Sequence, residues 1–290
     1  MCPLNDMEKN IVIVYYNTKR LTECLVKSIN KFVKDAKIYI FDNSDKQPFT
    51  QRLDNVTVLD NTKGELVDFE AVLESYPDRT RSSAKRNNYA SAKHCMSVDK
   101  CMELIDGGFI LLDSDVLLKK DISPLFDENY AFIGGTKAWS ASKPMNPGVK
   151  KRFRAIPFLC YINCDMCKEN GVRYFSGDHM YGLTENGDSY DTGTYFLESV
   201  SAAGLKWKKI NIDNYIVHYM AGSWVKEAKK YDNYATIGAE KWIERNKRFW
   251  DTEKKKVVKQ TKEEQPKKKQ SKPAAKRKAR SLMGFNLYQW

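Results

Sequence analysis

Phe109-Ile110-Leu111-Leu112-Asp113-Ser114-Asp115 is the stretch on which the reading of this chain turns. Four apolar residues follow Gly107-Gly108 and lead straight into two carboxylates one residue apart. A short, unbroken apolar run bounded by turn residues predicts a strand buried on both faces, the kind that belongs in a parallel sheet. In extended chain, residues i and i+2 point the same way, so Asp113 and Asp115 can reach one hard divalent cation. Carboxylate oxygens suit Mg²⁺ or Mn²⁺, with phosphate oxygens and water completing the shell. Open α/β sheets bind ligands beyond the carboxyl ends of their strands, which is where Asp113 falls. The competing reading is a solvated loop, because Asp-x-Asp recurs by chance; the strand in front of it favours the cation.

The chain on either side supplies a sheet for that strand. Ile11 to Tyr16 is β-branched and aromatic. After Asn17-Thr18, residues Leu21, Leu25, Ser28, Ile29 and Phe32 recur at helical spacing. Ile38 to Phe41 reads as a second strand, closed by Asp42-Asn43-Ser44-Asp45, and Val56 to Leu59 as a third. Strand, helix and strand in so short a span make a βαβ unit, so the sheet starts parallel. Gly64 to Asn88 is polar and carries no clear periodicity. A helix is predicted from near Lys93 to Ile105, with Ser91 as a candidate N-cap. Beyond the Asp-x-Asp, strands are predicted at Ala131 to Gly135, Trp207 to Ile212 and Tyr215 to Tyr219. Helices are predicted at Cys160 to Asn170 and Thr194 to Ala203.

The 290 residues carry 49 Lys+Arg against 37 Asp+Glu. Residues 252–290 hold 13 of those basic groups and 3 of the acidic ones, so the rest of the chain is close to balanced. The basicity therefore belongs to a tail, and charge gives no support to a polyanion groove in the body. From Lys254 to Arg280 the composition is Lys-rich with almost no core formers, which predicts disorder; apolar residues return from Leu282 to Trp290. A solvated tail is the first reading. Peripheral contact with anionic lipid or an acidic partner comes second, and nucleic acid third, since no aromatics interleave the basic run.

Seven cysteines, an odd number, and a start without a basic-then-apolar leader point to free thiols and a cytoplasmic location. No apolar stretch is long enough to span a membrane. Cys160, Cys164 and Cys167 stand at i, i+4 and i+7 of the predicted helix. They could join a zinc site, but a core-facing stripe of small residues is the commoner explanation.

The ordered set resembles the GT-A glycosyltransferases, and among them the family 2 group of bacterial and phage polysaccharide-type enzymes. The set comprises a strand ending at Tyr16-Asn17, one ending Phe41-Asp42-Asn43-Ser44, Ser91-Ala92-Lys93-His94 opening a helix, then Leu112-Asp113-Ser114-Asp115. Tyr161-Ile162-Asn163, Gly171-Val172, Asp191, and His218 with Gly222-Ser223-Trp224 fit the acceptor half. The resemblance covers about residues 10 to 225. It implies a Rossmann-like α/β GT-A fold with a mostly parallel central sheet flanked by helices. Residues 1–251 would form the catalytic domain, with about 10–125 for the nucleotide-sugar and about 126–251 for the acceptor, and 252–290 the tail.

The activity it implies is metal-dependent transfer of a sugar, of hexosyltransferase type, from a nucleotide-sugar to a hydroxyl acceptor in polysaccharide biosynthesis. A single displacement would invert the anomeric centre. UDP is the donor nucleotide the family uses most often; the acceptor could be a glycan, a lipid-linked sugar or another hydroxyl. By the same resemblance Asp42 would hold base or ribose, and Tyr15 and Tyr16 would line the base pocket. Lys93 and His94 would lie near ribose or diphosphate, at a helix N-terminus able to receive phosphate. Lys85 or Arg86 could serve there instead. Asp113 and Ser114 would meet the donor; Asp113, Asp115 and His218 would hold Mn²⁺ or Mg²⁺. Asp191 is the candidate general base, with Asp178 and Asp188 as competitors.

Two other readings remain open. A sugar nucleotidyltransferase would place a Gly-rich loop after the first strand, where this chain has Tyr16-Asn17-Thr18-Lys19-Arg20. A nonenzymatic module would bind a polyanion or membrane through its tail. No Gly-x-Gly-x-x-Gly or P-loop pattern occurs, which argues against dinucleotide and P-loop enzymes.

Overall fold

β1 (Lys9–Tyr15) pairs in parallel with β2 (Ala36–Asp42) on one side and β4 (Gly108–Asp113) on the other. In this computed structural model residues 8–75, 89–139, 152–177, 192–219 and 238–252 are described. β2 carries β3 (Val56–Asp60) at its outer edge. Beyond β4 come β7 (Arg152–Asn163), β6 (Phe132–Trp139) and β8 (Trp207–Lys209), giving the order β3-β2-β1-β4-β7-β6-β8. β7 is antiparallel to both β4 and β6, while β6 and β8 are parallel, so β7 alone runs against the rest. The carboxyl ends of β1, β2, β4 and β6 therefore share one rim. The chain divides into units 1–252 and 253–290, and every described residue belongs to the first.

Side chains of the central strands alternate between two fully buried faces, as expected of strands covered on both sides. Ile11, Ile13, Ile110 and Leu112 join Leu25, Val26 and Ile29 of α1 (Lys19–Phe32) in one core. Val12, Phe109 and Leu111 join Cys95, Val98 and Met102 of α3 (Tyr89–Leu104) and Phe196 of α5 (Thr194–Ala202) in the other. Each such side chain contributes about 1.5–3 kcal/mol by leaving water. The helices α2 (Phe69–Glu74) and α4 (Cys164–Glu169) close the second face. The expected α/β architecture, a mostly parallel sheet flanked by helices, is the one observed.

A short ribbon stands off the main sheet. β5 (Val116–Leu118) pairs antiparallel with β9 (Ile216–His218), setting Val116 opposite His218. Two helices, α6 (Ala239–Arg245) and α7 (Lys247–Trp250), brace it. Ile243, Phe249 and Trp250 pack with Leu117 and Tyr219, and Lys31 of α1 donates to the carbonyls of Arg248 and Asp251.

Several expectations need correction. Cys160 belongs to β7 and only Cys164 and Cys167 to α4, so the three cysteines do not share a helix face. Among the described residues no cysteine group comes within ligand range of a metal, and burial raises these thiols, Cys167 to about 12. α3 is already formed at Tyr89, so Ser91 is not its cap and Lys93 lies inside the helix. The strand predicted at Trp207 to Ile212 ends at Lys209 and gives way to a 3₁₀ turn, Ile212–Asn214. Asp191, its competitors Asp178 and Asp188, Lys85, Arg86, the Gly222-Ser223-Trp224 loop and the basic tail lie outside the described residues.

Candidate active site

β4 delivers Asp113 to the rim as its last residue, and β5 begins at Val116, so Asp113-Ser114-Asp115 is the turn between two buried strands. Ser114 fixes that turn by accepting a 2.8 Å hydrogen bond from the Thr18 hydroxyl at the start of α1. β9 returns alongside β5 and brings His218 to Asp115, with Nε2 3.0 Å from Oδ1. The Tyr219 N–H donates to the Asp115 carbonyl at 2.9 Å and holds the two segments in register. The result is one group: ligand atoms of Asp113, Asp115 and His218 all lie within 4.8 Å of one another.

Electrostatics make this group costly as it stands. Burial, and then the charge of Asp115, push the Asp113 carboxyl well above the usual carboxylate range; His218 and Arg154 of β7 pull the other way. Burial alone would lower His218, but the hydrogen bond and charge of Asp115, with Asp113 beyond, outweigh it and raise the imidazole. The ring lies 3.9 Å, centroid to centroid, from Phe158, and its buried Nδ1 has no hydrogen-bond partner. Two carboxylates and an imidazole with one orphaned nitrogen suit a cation better than they suit one another.

The other residues named from sequence fall elsewhere. Tyr15 is fully buried, and its hydroxyl donates to the Gln47 carbonyl. Asp42 is also buried, and its two oxygens accept from Ser44 N–H at 2.8 Å and Phe49 N–H at 2.7 Å, shaping the loop after β2. Tyr16, next to Tyr15 in sequence, is exposed at the end of β1. Lys93 is half-buried with its ammonium 5.2 Å from the centre of the Phe69 ring. His94 has its Nε2 shielded from solvent without a partner, its ring centroid lies 6.4 Å from that of Tyr174, and burial lowers its pKa to about 4. Sequence thus assembles the Asp113, Ser114, Asp115 and His218 cluster and scatters Tyr15, Asp42, Lys93 and His94 around it.

Sequence singled out neither Arg154 nor Phe158 of β7, and Pro157 between them is an unfavourable strand residue. The alternation Arg152-Phe153-Arg154 was the available signal.

No family model and no curated protein matches the chain. Solved structures similar to it include the galactosyltransferase LgtC in complex with donor and acceptor sugar analogs, at 13% identity and TM-score 0.40, covering 70% of this chain and 73% of that one. Mouse xyloside xylosyltransferase 1, apo form, is similar at 9% identity and TM-score 0.44 over 71% of this chain and 86% of that one. The glycosyltransferase GlyE of Streptococcus pneumoniae TIGR4 is similar at 11% identity and TM-score 0.42 over 82% and 59%.

Proposed function

We propose that this chain is a metal-dependent glycosyltransferase that moves a sugar from a nucleotide-sugar donor to a hydroxyl acceptor. The observation that carries this reading is the trio Asp113, Asp115 and His218 at the carboxyl end of a central parallel strand, where open α/β sheets receive ligands. The trio fits Mn²⁺ or Mg²⁺. Its ligand atoms, all within 4.8 Å of one another, are near enough to converge on one small divalent ion with slight adjustment. Two carboxylates and one imidazole are also a donor set such ions accept.

Asp113, Asp115 and His218 would hold the cation, with Nε2 surrendering any proton it shares with Asp115. When bound, the cation supplies positive charge against the diphosphate that departs. The chain's own part is to keep the ligands in place: Thr18 through Ser114, Phe158 beneath the imidazole, and the β5–β9 pairing. In the transfer the acceptor oxygen bonds to the anomeric carbon, the bond from that carbon to the diphosphate breaks, and the acceptor proton passes to a base. Asp191, immediately before Thr192, is the base we assign, and a single displacement with inversion is the course we assign. The narrower family 2 reading, and UDP as nucleotide, are supported by the order of sequence motifs alone.

The test is a thermal-shift screen of nucleoside diphosphates and nucleotide-sugars with and without Mn²⁺. A ligand bound only by the folded chain raises the melting temperature. The expected outcome is a rise of several degrees for one nucleotide, dependent on Mn²⁺ and absent with EDTA. A flat response to every nucleotide at saturating Mn²⁺ overturns the reading.

A further inference from the structure

A cavity of about 670 Å³ opens beside His218. It exists because β6 and β7 fall out of step. Between the pairs Gly134↔Cys160 and Thr136↔Ala155, β6 has one residue, Gly135, where β7 has four, Ile156 to Leu159. Bulges of this kind re-aim side chains next to functional sites. Here Ile156 and Phe158 enter the cavity wall, and Phe158 also carries the His218 ring. Gly135 keeps the space open. A Cβ there would come 2.9 Å from Ile212 and 3.2 Å from Ile156, side chains that would have to give way.

The lining is of two kinds. Ile156, Phe158 and Ile212 form a floor that is only partly buried, so apolar surface faces an open concavity. Ligand sites combine such a floor with a few placed polar groups. Lys137 and Lys209 are both exposed at this cavity, and among the described residues neither has an ion-pair partner. Asp213 is the one carboxylate in the wall, and Lys119 donates to its backbone carbonyl. Two lysines against one aspartate leave the cavity positive. Its ligand therefore pairs an apolar segment with an anionic group, and a phosphate, with nearly two charges at neutral pH, matches two ammonium groups.

We infer that this cavity is the acceptor subsite and that the acceptor is a hydroxyl compound that also carries an organic phosphate, its apolar chain or ring lying on Ile156, Phe158 and Ile212 and its phosphate at Lys137 and Lys209. The word acceptor rests on the transferase reading above; the anionic, apolar ligand class rests on the cavity alone.

Calorimetric titration of the full chain tests it with four probes: octyl phosphate, phenyl phosphate, inorganic phosphate and octyl glucoside. Octyl or phenyl phosphate is expected to bind at least ten-fold more tightly than both inorganic phosphate and the neutral glucoside. A stronger octyl arm identifies a lipid-like acceptor, a stronger phenyl arm an aromatic one. The double variant Lys137→Ala/Lys209→Ala should lose at least ten-fold in organic phosphate affinity, and Lys137→Arg/Lys209→Arg should restore it. Both positions are exposed, so an unchanged melting temperature is expected of either variant. Equal affinity for octyl glucoside, or undiminished binding by the alanine pair, overturns the proposal. Mn²⁺ titrated into the same chain separates the two readings. Organic phosphate binding without Mn²⁺ binding breaks the transferase reading alone, and Mn²⁺ binding without organic phosphate binding breaks the cavity reading alone.

Discussion

β2 and β4 flank β1, and each ends in an aspartate that follows a buried apolar run. At β2, Asp42 meets two backbone N–H donors within its own loop, and Asn43 and Asn61 are hydrogen-bonded beside it, although the buried Ser44 hydroxyl has no partner. Asn43 donates to Ser97 at 2.8 Å, Asn61 donates to Asn43 at 3.0 Å, and Asn61 accepts from Leu66 and Val67 N–H. At β4 the turn offers Asp113 no such donors among the described residues, and a second carboxylate and an imidazole crowd it instead. A carboxylate held by backbone donors stiffens its loop, whereas a buried carboxylate crowded by like charge is a candidate ligand for a cation. The same sequence signature therefore yields a structural cap at one strand end and a candidate ligand cluster at the next.

The substitution with the largest expected effect tests the β4 end. Asp115→Asn keeps the volume and can still hydrogen-bond His218, but it removes a charged ligand. Transfer should fall on the order of 10³-fold, about 4 kcal/mol in the barrier, and Mn²⁺ affinity should fall with it. Folding stability should hold or rise slightly, because a buried repulsion is relieved. Denaturation midpoints and Mn²⁺ titration read both. If instead stability collapses while Mn²⁺ binding survives, the two strand ends do the same structural work and the contrast fails.

Asp42 tests the other end. Asp42→Ala leaves the Ser44 and Phe49 N–H groups buried without acceptors and should cost about 3 kcal/mol of stability; Asp42→Asn keeps one acceptor and should cost about half as much. Mn²⁺ affinity should remain within about two-fold, since Asp42 touches none of the three ligands. A large loss of Mn²⁺ binding in a folded Asp42→Asn chain would join the two rims into a single site.

The contrast also explains what sequence could disclose. Ile11 to Tyr15, Ile38 to Phe41 and Phe109 to Leu112 were legible because strands buried on both faces need unbroken apolar runs. The cluster was legible because two carboxylates close an apolar strand run, although a turn rather than extended chain brings them together, while His218 entered through family resemblance. The split between Asp42 and Asp113 was not legible, since it depends on where loop N–H groups fall in space. β7 was misread for a related reason. Cys160, Cys164 and Cys167 mimic helical spacing, yet the chain passes from strand to helix at Asn163, whose side chain caps α4 by accepting from Met166 N–H at 3.0 Å. His94 opens a helix in sequence like a phosphate contact, but that helix packs it against Tyr174.

His94 supplies the smallest of the expected effects, and it asks whether a half-buried ring whose Nε2 has no partner behaves as core or as ligand. Burial lowers its pKa from the ordinary 6.5 to about 4, so the folded chain holds the neutral ring where the unfolded chain would bind a proton. The sign follows: the contribution is fully present above pH 6.5 and is lost as pH falls from there towards 4. Between pH 6.5 and 5.0 the loss should amount to about 1–2 kcal/mol of unfolding free energy. His94→Gln cannot bind that proton, so its stability should fall less steeply over the same interval than that of the native chain, by this difference. Urea midpoints at each pH measure it. Parallel slopes for the two chains would mean that the native ring titrates near its ordinary pKa in contact with solvent. His94 would then return to the list of groups able to meet a donor phosphate, and the line drawn between the β4 cluster and its surroundings would have to move outward to include α3.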